Sequence, residues 1–268
     1  MHRPGGGFSD VEANLKLDKN SILDINSNKF EIANGYSSAK INCNLKKHKY
    51  NMLLGIEEID SDLIASILQL EKEISGKASG TIDLNTDDSM RLNGTIKFLV
   101  KDGTIQKIGL VEYILKMAAL FRNPLTMISP SVFADLVNVP EGKFDTIDGH
   151  LVLKDNVIER LMIKSTSPQL SSFIVGRYDL ENSDASLRIY TKFSNKNKGV
   201  FGLLRNISLN SLANRIPLTA KNDSNHYAAE LSLLPPINAD EKDCQVFLTK
   251  VDGDVEHNNF ISSLKKIK

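Results

Sequence analysis

Tryptophan is absent, aromatic residues make up only 6% of the chain, and cysteine occurs twice in 268 residues. Each shortage removes a class of function. So few aromatics leave no stacking surface for sugars or nucleobases. Cys43 and Cys244 are too few for a disulfide framework, and no CxxC pair or Cys/His cluster suggests a metal. The two are read either as small buried hydrophobes or as one long-range bridge. The favoured expectation is that they stay apart, since one belongs to an early strand and the other to a late one. Lys plus Arg equals Asp plus Glu at 33 each, so no broad field attracts phosphate backbones and nucleic acid is not an expected partner. The one basic bias is the tail, Lys265, Lys266 and Lys268, where a solvated terminus is weighed against a lipid-headgroup contact. No run of about 18 apolar residues could span a bilayer, and the opening "MHRPGGGFSD" has no apolar signal core. Taken literally this describes a cytosolic protein, although Gly5-Gly6-Gly7 running straight into the alternation Val11, Ala13, Leu15, Leu17 reads equally well as a cut from something longer.

Catalytic signatures are also missing. There is no GxSxG elbow, phosphate loop, HExxH, GxGxxG or glycine-rich calcium repeat. The five histidines, His2, His48, His150, His226 and His257, stand singly, and exposed strand or terminal positions account for them better than catalysis. The acidic pairs Glu57-Glu58 and Asp87-Asp88 read as solvated charge beside turns. No cofactor is implied.

What is present is a period of two. Ile41, Cys43 and Leu45 alternate with polar residues; so do Ala78, Gly80, Ile82 and Leu84, and again Leu92, Gly94, Ile96, Phe98 and Val100. Successive strand side chains point to opposite faces, so each segment has one wet and one apolar side. The habit continues through Leu151 and Leu153, Val157 to Ile163, Phe173 to Tyr178, Leu187 to Phe193, and Tyr227, Ala229, Leu231 and Leu233. The expectation is an antiparallel meander, mostly β with a few helices and more than about a third of residues in strands. Asn34-Gly35, Asp102-Gly103, Asp148-Gly149 and Asp252-Gly253 are read as its tight turns, and Asn93-Gly94 as a mid-strand position marking a bulge. "SGTIDL" and "NGTIKF" form a weak internal echo.

Three helices are expected to interrupt the sheet. One is capped by Asp60 or Ser61, with Leu63, Ile64, Ile67, Leu70 and Ile74 on one face. The longest, about 107–121, carries the stripe Ile108, Val111, Ile114, Leu115, Ala118 and Phe121. A short third covers Ser131 to Leu136. The pattern around 199–218 decides neither helix nor loop.

On pattern alone, the apolar faces fit an ordinary sandwich core. The order of the pieces adds something more specific: "SGKASGTIDL", then "LNGTIKFLVKDGTIQKIGLVEYILKMAALF", then "FADLVNVPEGKFDTIDGHLVLKDNVIERLMIKSTSPQLSSFIVGRYDLENSDASLRIYTKF". This order resembles the AsmA-like C-terminal region of the AsmA/TamB/YhdP group of bacterial envelope proteins, from about Ser75 to Phe193. The matching positions are Gly76 and Gly80, Gly94 to Gly103, Ile108 to Phe121, Phe133 and Leu136, Asp148-Gly149, Leu161 to Ile174, and Gly176 to Leu180.

The resemblance implies an elongated, curved antiparallel sheet forming an apolar groove for phospholipid acyl chains, with helix 107–121 capping or covering it or facing a membrane. It implies a non-enzymatic module for lipid binding or lipid transfer that supports outer-membrane assembly or integrity. Its setting would be periplasmic, in an inner-membrane-anchored protein whose anchor is not among these residues. Expected partners are phospholipids, the membrane in the full-length protein, and envelope proteins. Groove candidates are Ile82, Leu84, Leu92, Ile96, Phe98, Val100, Leu151, Leu153, Leu161 and Ile163. The expected organisation is a disordered or truncated start at 1–8, a β-meander plus helix at 9–74, the AsmA-like domain at 75–252 and a tail at 253–268. The rival reading is an assembly module that binds a protein partner through a sheet edge or the apolar helix. An enzyme with a lone acidic site is the third class considered.

Overall fold

A computed structural model describes residues 8–9, 12–63, 75–104, 143–167, 170–194, 224–254 and 259–267. Its framework is one antiparallel sheet of thirteen strands, open at both ends and not closed into a barrel. The strands are β1 (Phe8–Ser9), β2 (Ala13–Leu17), β3 (Ile22–Ile32), β4 (Gly35–Asn44), β5 (Lys49–Asp60), β6 (Lys77–Thr86), β7 (Leu92–Thr104), β8 (Lys143–Lys154), β9 (Val157–Thr166), β10 (Leu170–Asp179), β11 (Asp184–Ser194), β12 (Cys244–Asp254) and β13 (Asn259–Lys266). From β3 onward each strand pairs with the next in sequence, while β1 and β2 both pair with β3. At about 4.8 Å per strand the sheet extends roughly 50 Å across its strands, against roughly 35–45 Å along them.

Bulges punctuate the ladder. The register shifts between Ser27 and Phe30 in β3, between Ile56 and Ile59 in β5, and around Glu159 in β9, where Ile158 and Leu161 pair with Tyr178 and Gly176. An extra residue in one strand bends it and increases its twist. Glycines on the apolar side allow neighbouring strands to close in. A Cβ on Gly80 would lie 2.2 Å from the Lys97 carbonyl oxygen. One on Gly94, whose φ is +138°, would lie 2.0 Å from the carbonyl oxygen of Asp83. Bulges and glycines are the devices by which sheets curve.

Hydrogen bonds from backbone to side chain close the hairpins on one rim. Asp18 Oδ1 accepts from the amides of Asn20 and Ile22, both at 2.8 Å, and Asp87 Oδ1 accepts from Ser89 and Arg91, again at 2.8 Å. Asp179 Oδ1 accepts from Glu181 at 2.9 Å. At Ala33–Asn34 and Asp155–Asn156 both residues have positive φ, the conformation whose twist suits two-residue hairpins.

Several expectations need correction. The turn after β3 is Ala33–Asn34, and Gly35 already opens β4. Asp102-Gly103, Asp148-Gly149 and Asp252-Gly253 lie inside β7, β8 and β12. At Asp148-Gly149 and Asp252-Gly253 cross-strand pairing outweighs the local turn preference, while Asp102 keeps a positive φ and Gly103 pairs with Phe144. Asn93-Gly94 is mid-strand as expected, but the β6–β7 register passes it without a shift. Glu57-Glu58 sits in the β5 bulge, not beside a turn. The segment Tyr227 to Leu231 belongs to helix α1 (Ser224–Leu231), not a strand. Tyr227, Leu231 and Leu234 pack on the buried trio Phe173, Tyr190 and Leu248, and their spacing of four and three fits a helix as readily as alternation. Much of the presumed tail, Asn259–Lys266, is strand β13. The sheet also runs unbroken across residue 75, through the β5–β6 pairing.

A charged clamp fixes α1. Arg188 Nε and Nη2 donate to Glu230 at 2.9 and 2.6 Å, and the Tyr190 hydroxyl donates to the same carboxylate. Burial, reinforced by Glu230, pushes the Tyr190 phenol far above its ordinary range. The helix following Asp60 begins at Ser61–Leu63, and Leu63 packs against Ile32, Ala33 and Ile59. Residues 64–74, the helices expected at 107–121 and 131–136 and the 199–218 segment lie outside the described residues.

Gly94→Ala is expected to lower stability by about 1–3 kcal/mol, since the added methyl meets backbone at a strained φ. Gly55→Ala, whose added Cβ meets only the Ser38 hydroxyl, should lose clearly less. Urea midpoints measure both, and equal losses would contradict the close-approach account.

The turn carboxylates give a pH expectation. The Ile22 amide holds Asp18 below its usual range, the Arg91 amide does so for Asp87 and the Asn182 side chain for Asp179. A folded pKa below the unfolded value of about 3.9 gives stability that is complete above that pH and is lost as pH falls through the folded pKa. The triple variant Asp18→Asn, Asp87→Asn, Asp179→Asn should therefore melt below wild type near neutrality, with the gap narrowing below about pH 4. A gap unchanged in acid would refute the charge contribution.

Candidate functional site: one apolar face across the sheet

Residues directly opposite in a ladder share a face. The register therefore collects the alternating apolar positions into rows that cross the strands. One row runs Ala39, Leu54, Ile82, Ile96, Leu151, Leu161, Gly176, Leu187, Val251. Beside it runs Ser37, Ile56, Gly80, Phe98, Gly149, Ile163, Ile174, Ile189, Thr249. On the other flank lie Leu15, Ile25, Ile41, Met52, Leu84, Gly94, Leu153 and Ile158. Between β3 and β7 the opposite side of the sheet is wet, with Asp24, Asn42, Asn51, Asn85 and Asn93 in register.

Every groove candidate falls on the apolar face. Ile82, Ile96, Leu151 and Leu161 share one row, Leu84 and Leu153 another, and Phe98 and Ile163 a third. Val100 joins Ile147 towards one rim, while Leu92 lies opposite Thr86 at the other. All are half-buried except Val100 and Leu153, which are buried. Val100 packs with Phe144 and Ile147, and Ala78, Phe98 and Ile163 pack around them. The helix candidates Ile108, Val111, Ile114, Leu115 and Phe121 lie outside the described residues.

Phe98 has glycine on both sides, Gly80 in β6 and Gly149 in β8. A Cβ on Gly149 would lie 2.2 Å from the Phe98 ring, so the ring leans across the neighbouring strand and covers its backbone. Sequence reading did not single out the N-terminal continuation of the face in β3 and β5: Ile25, Met52, Leu54 and Ile56. Their alternation was a sufficient signal, but the bulges after Ser27 and Ile56 break its phase.

Burial is graded along the face. Leu15 and Leu17 in β2 are largely exposed, most β5–β9 residues are half-buried although Ile59, Val100, Ile147, Leu153 and Ile158 are buried, and Ile174, Ile189 and Val251 are buried, with Leu161, Ile163 and Leu187 packed against them. At that end the other side is apolar as well, where α1 covers Phe173, Tyr190 and Leu248. A shallow depression on the wet side, lined in part by Asp24, Lys40, Asn51 and Asp83, is open to solvent.

Polar chemistry is dispersed. Among the described residues no group of three His, Cys, Asp or Glu side chains could hold a metal. His48 sits in the β4–β5 turn and His150 on the β8 side opposite the apolar rows. Cys43 and Cys244 are free, buried thiols in β4 and at the start of β12. Among the described residues no helix is long and apolar enough to cross a membrane. No family model, curated protein or solved structure matches this chain.

Proposed function

We propose that this chain is a non-enzymatic lipid-binding or lipid-transfer module of the bacterial cell envelope, holding phospholipid acyl chains along the apolar face of its sheet. The observation that carries the reading is the register. Over the strands from β3 to β9 most apolar positions fall on one side of an open sheet, with Leu53, Leu99, Val152 and Met162 among the exceptions. An acyl chain needs a continuous apolar surface and no particular residue, because burial free energy follows apolar area and has no direction. The wet residues on the other side keep that side in water. The order of motifs that resembles the AsmA-like region favours phospholipid as the cargo and the periplasm as the setting. Helix 107–121 would act as the cap. In this reading no residue is catalytic and no cofactor is needed.

A second reading, an assembly module that takes up a partner's strand, draws on β2. This short edge strand is exposed along its whole length, and an unpaired strand edge is a template for β-augmentation.

Replacing Ile96 and Phe98 together with Asp separates the readings. Both side chains are half-buried, and on a lipid-bearing face the backbone ladder persists while charge blocks the acyl path. The double variant is expected to keep its β-type circular dichroism and cooperative melting but to lose phospholipid that co-purifies with wild type, as read by mass spectrometry. Glu at Thr81 and Lys97, which pair on the wet side, should leave both unchanged. In a closed core each unpaired buried carboxylate would cost several kcal/mol against a total of about 5–15, so an unfolded double variant would overturn the proposal. So would a folded variant that still carries lipid.

A further inference from the structure

The rim that carries the β2–β3, β4–β5 and β6–β7 turns has one corner unlike the rest of the molecule. Its turns are tied together: the Leu45 amide donates to the Ser21 carbonyl at 2.9 Å, and the Tyr50 amide donates to Thr86 Oγ1 at 2.9 Å. Lys49 pairs with Asp88. From this braced corner large apolar side chains face solvent: Leu17 is 63% exposed, Met90 55%, Leu45 45% and Tyr50 40%. No core contact explains them, and clustered apolar exposure marks an interaction site.

Lys19, Lys46 and Lys47 lie among them, exposed and, among the described residues, without an ion-pair partner. The nearby carboxylates are engaged, Asp18 by its own turn and Asp87 by its turn and Arg91. Lysines of the opposite rim are neutralised in pairs, Lys29 with Glu57, Lys77 with Asp60 and Lys101 with Glu58. The far end of the first rim reverses sign, with Asp179, Glu181 and Asp184 around the β10–β11 turn. The chain's zero net charge thus conceals a cationic corner and an anionic one.

We propose that the β2–β5 corner is a docking surface for an anionic phospholipid bilayer. Leu17, Leu45 and Tyr50 would enter the boundary between headgroups and acyl chains, and Lys19, Lys46 and Lys47 would meet the phosphates. Apolar and cationic side chains interleaved on projecting turns suit that interface, where hydrocarbon and anion lie within one side-chain length of each other. Leu17 also begins the outermost apolar row, Leu17–Leu23–Cys43–Tyr50, so the corner leads directly onto the apolar face. The docking surface stands whether or not that face carries lipid.

Flotation with vesicles of phosphatidylcholine alone and of phosphatidylcholine mixed with phosphatidylglycerol tests the surface. Wild type is expected to float only with the mixed vesicles, and less in high salt. Lys46→Gln with Lys47→Gln should weaken binding by about 25-fold, at about fivefold per lysine. Leu17→Asp with Leu45→Asp should abolish it. Lys29→Gln with Lys101→Gln, and the Ile96/Phe98 double Asp variant, should float like wild type. That last comparison separates bilayer docking from acyl binding on the face. If the leucine pair fails to fold, the lysine pair, wholly on the surface, still decides. The proposal is overturned if wild type floats with neither vesicle or with both alike, if the lysine pair floats like wild type, or if the Lys29/Lys101 pair fails to float; unfolding of the Ile96/Phe98 variant counts against acyl binding on the face and not against the docking surface. Corner variants that instead dissociate a dimer in sedimentation would reassign the patch to a second copy of the chain.

Discussion

Everything in this molecule depends on keeping one strand phase through a long succession of pairings. Side chains alternate with a period of two, so a slip of one residue between any two strands would turn an entire apolar set to the wet side. The bulges make the constraint visible. In β3 the apolar-side positions run Ile25, Ser27, then Phe30 and Ile32; in β5 they run Met52, Leu54, Ile56, then Ile59. Each bulge takes up one extra residue and restores the phase, so the strand bends while the face survives.

The two ends solve the problem of a sheet differently. Towards β10–β12 a second layer exists: α1 seals Phe173, Tyr190 and Leu248, and its Glu230 gathers Arg188 and Tyr190. Towards β3–β7 the opposite side is largely polar, with Asp24, Asn42, Asn51, Asn85 and Asn93 in register and only scattered apolar residues such as Leu53 and Leu99. Antiparallel sheets tolerate one wet face only when the other is covered. On the proposed reading the half-buried rows are the side that an acyl chain would cover. A mobile, featureless occupant such as an acyl chain would tolerate the gradation from exposed Leu15 to buried Ile189, because area alone governs its affinity.

Alternation was legible wherever one face is wet. The phase of β4, β6, β7 and β8 can be read directly from Ile41–Cys43, Ala78–Leu84, Leu92–Val100 and Leu151–Leu153, and that was sufficient to put the groove candidates of β6, β7 and β8 on one side. It failed where both faces bury apolar residues. In β12, Val246 and Leu248 face α1's side while Val251 faces the other, so no period shows and Asp252-Gly253 passes for a turn. It failed again at Tyr227–Leu231, where residues spaced by four suit a helix as well as a strand. The dipeptides misled for one reason: Asp-Gly permits a turn but does not demand one, and β8 and β12 pair straight through it.

The corner was illegible for another reason. In "INCNLKKHKY", residues 41–50, Leu45 looks in one dimension like the last member of an alternating strand. Pairing ends at Asn44, the Leu45 amide turns to Ser21, and the side chain meant by pattern for the core is left in water beside Lys46 and Lys47. Composition hides the charge in the same way, because equal totals of acid and base say nothing about where each collects. A sheet that carries cargo on an area-driven face has no residue-specific means of giving that cargo a direction. On the proposed readings the cationic corner with its exposed apolar side chains would supply one, since it would make one end of the face, and not the other, complementary to an anionic surface.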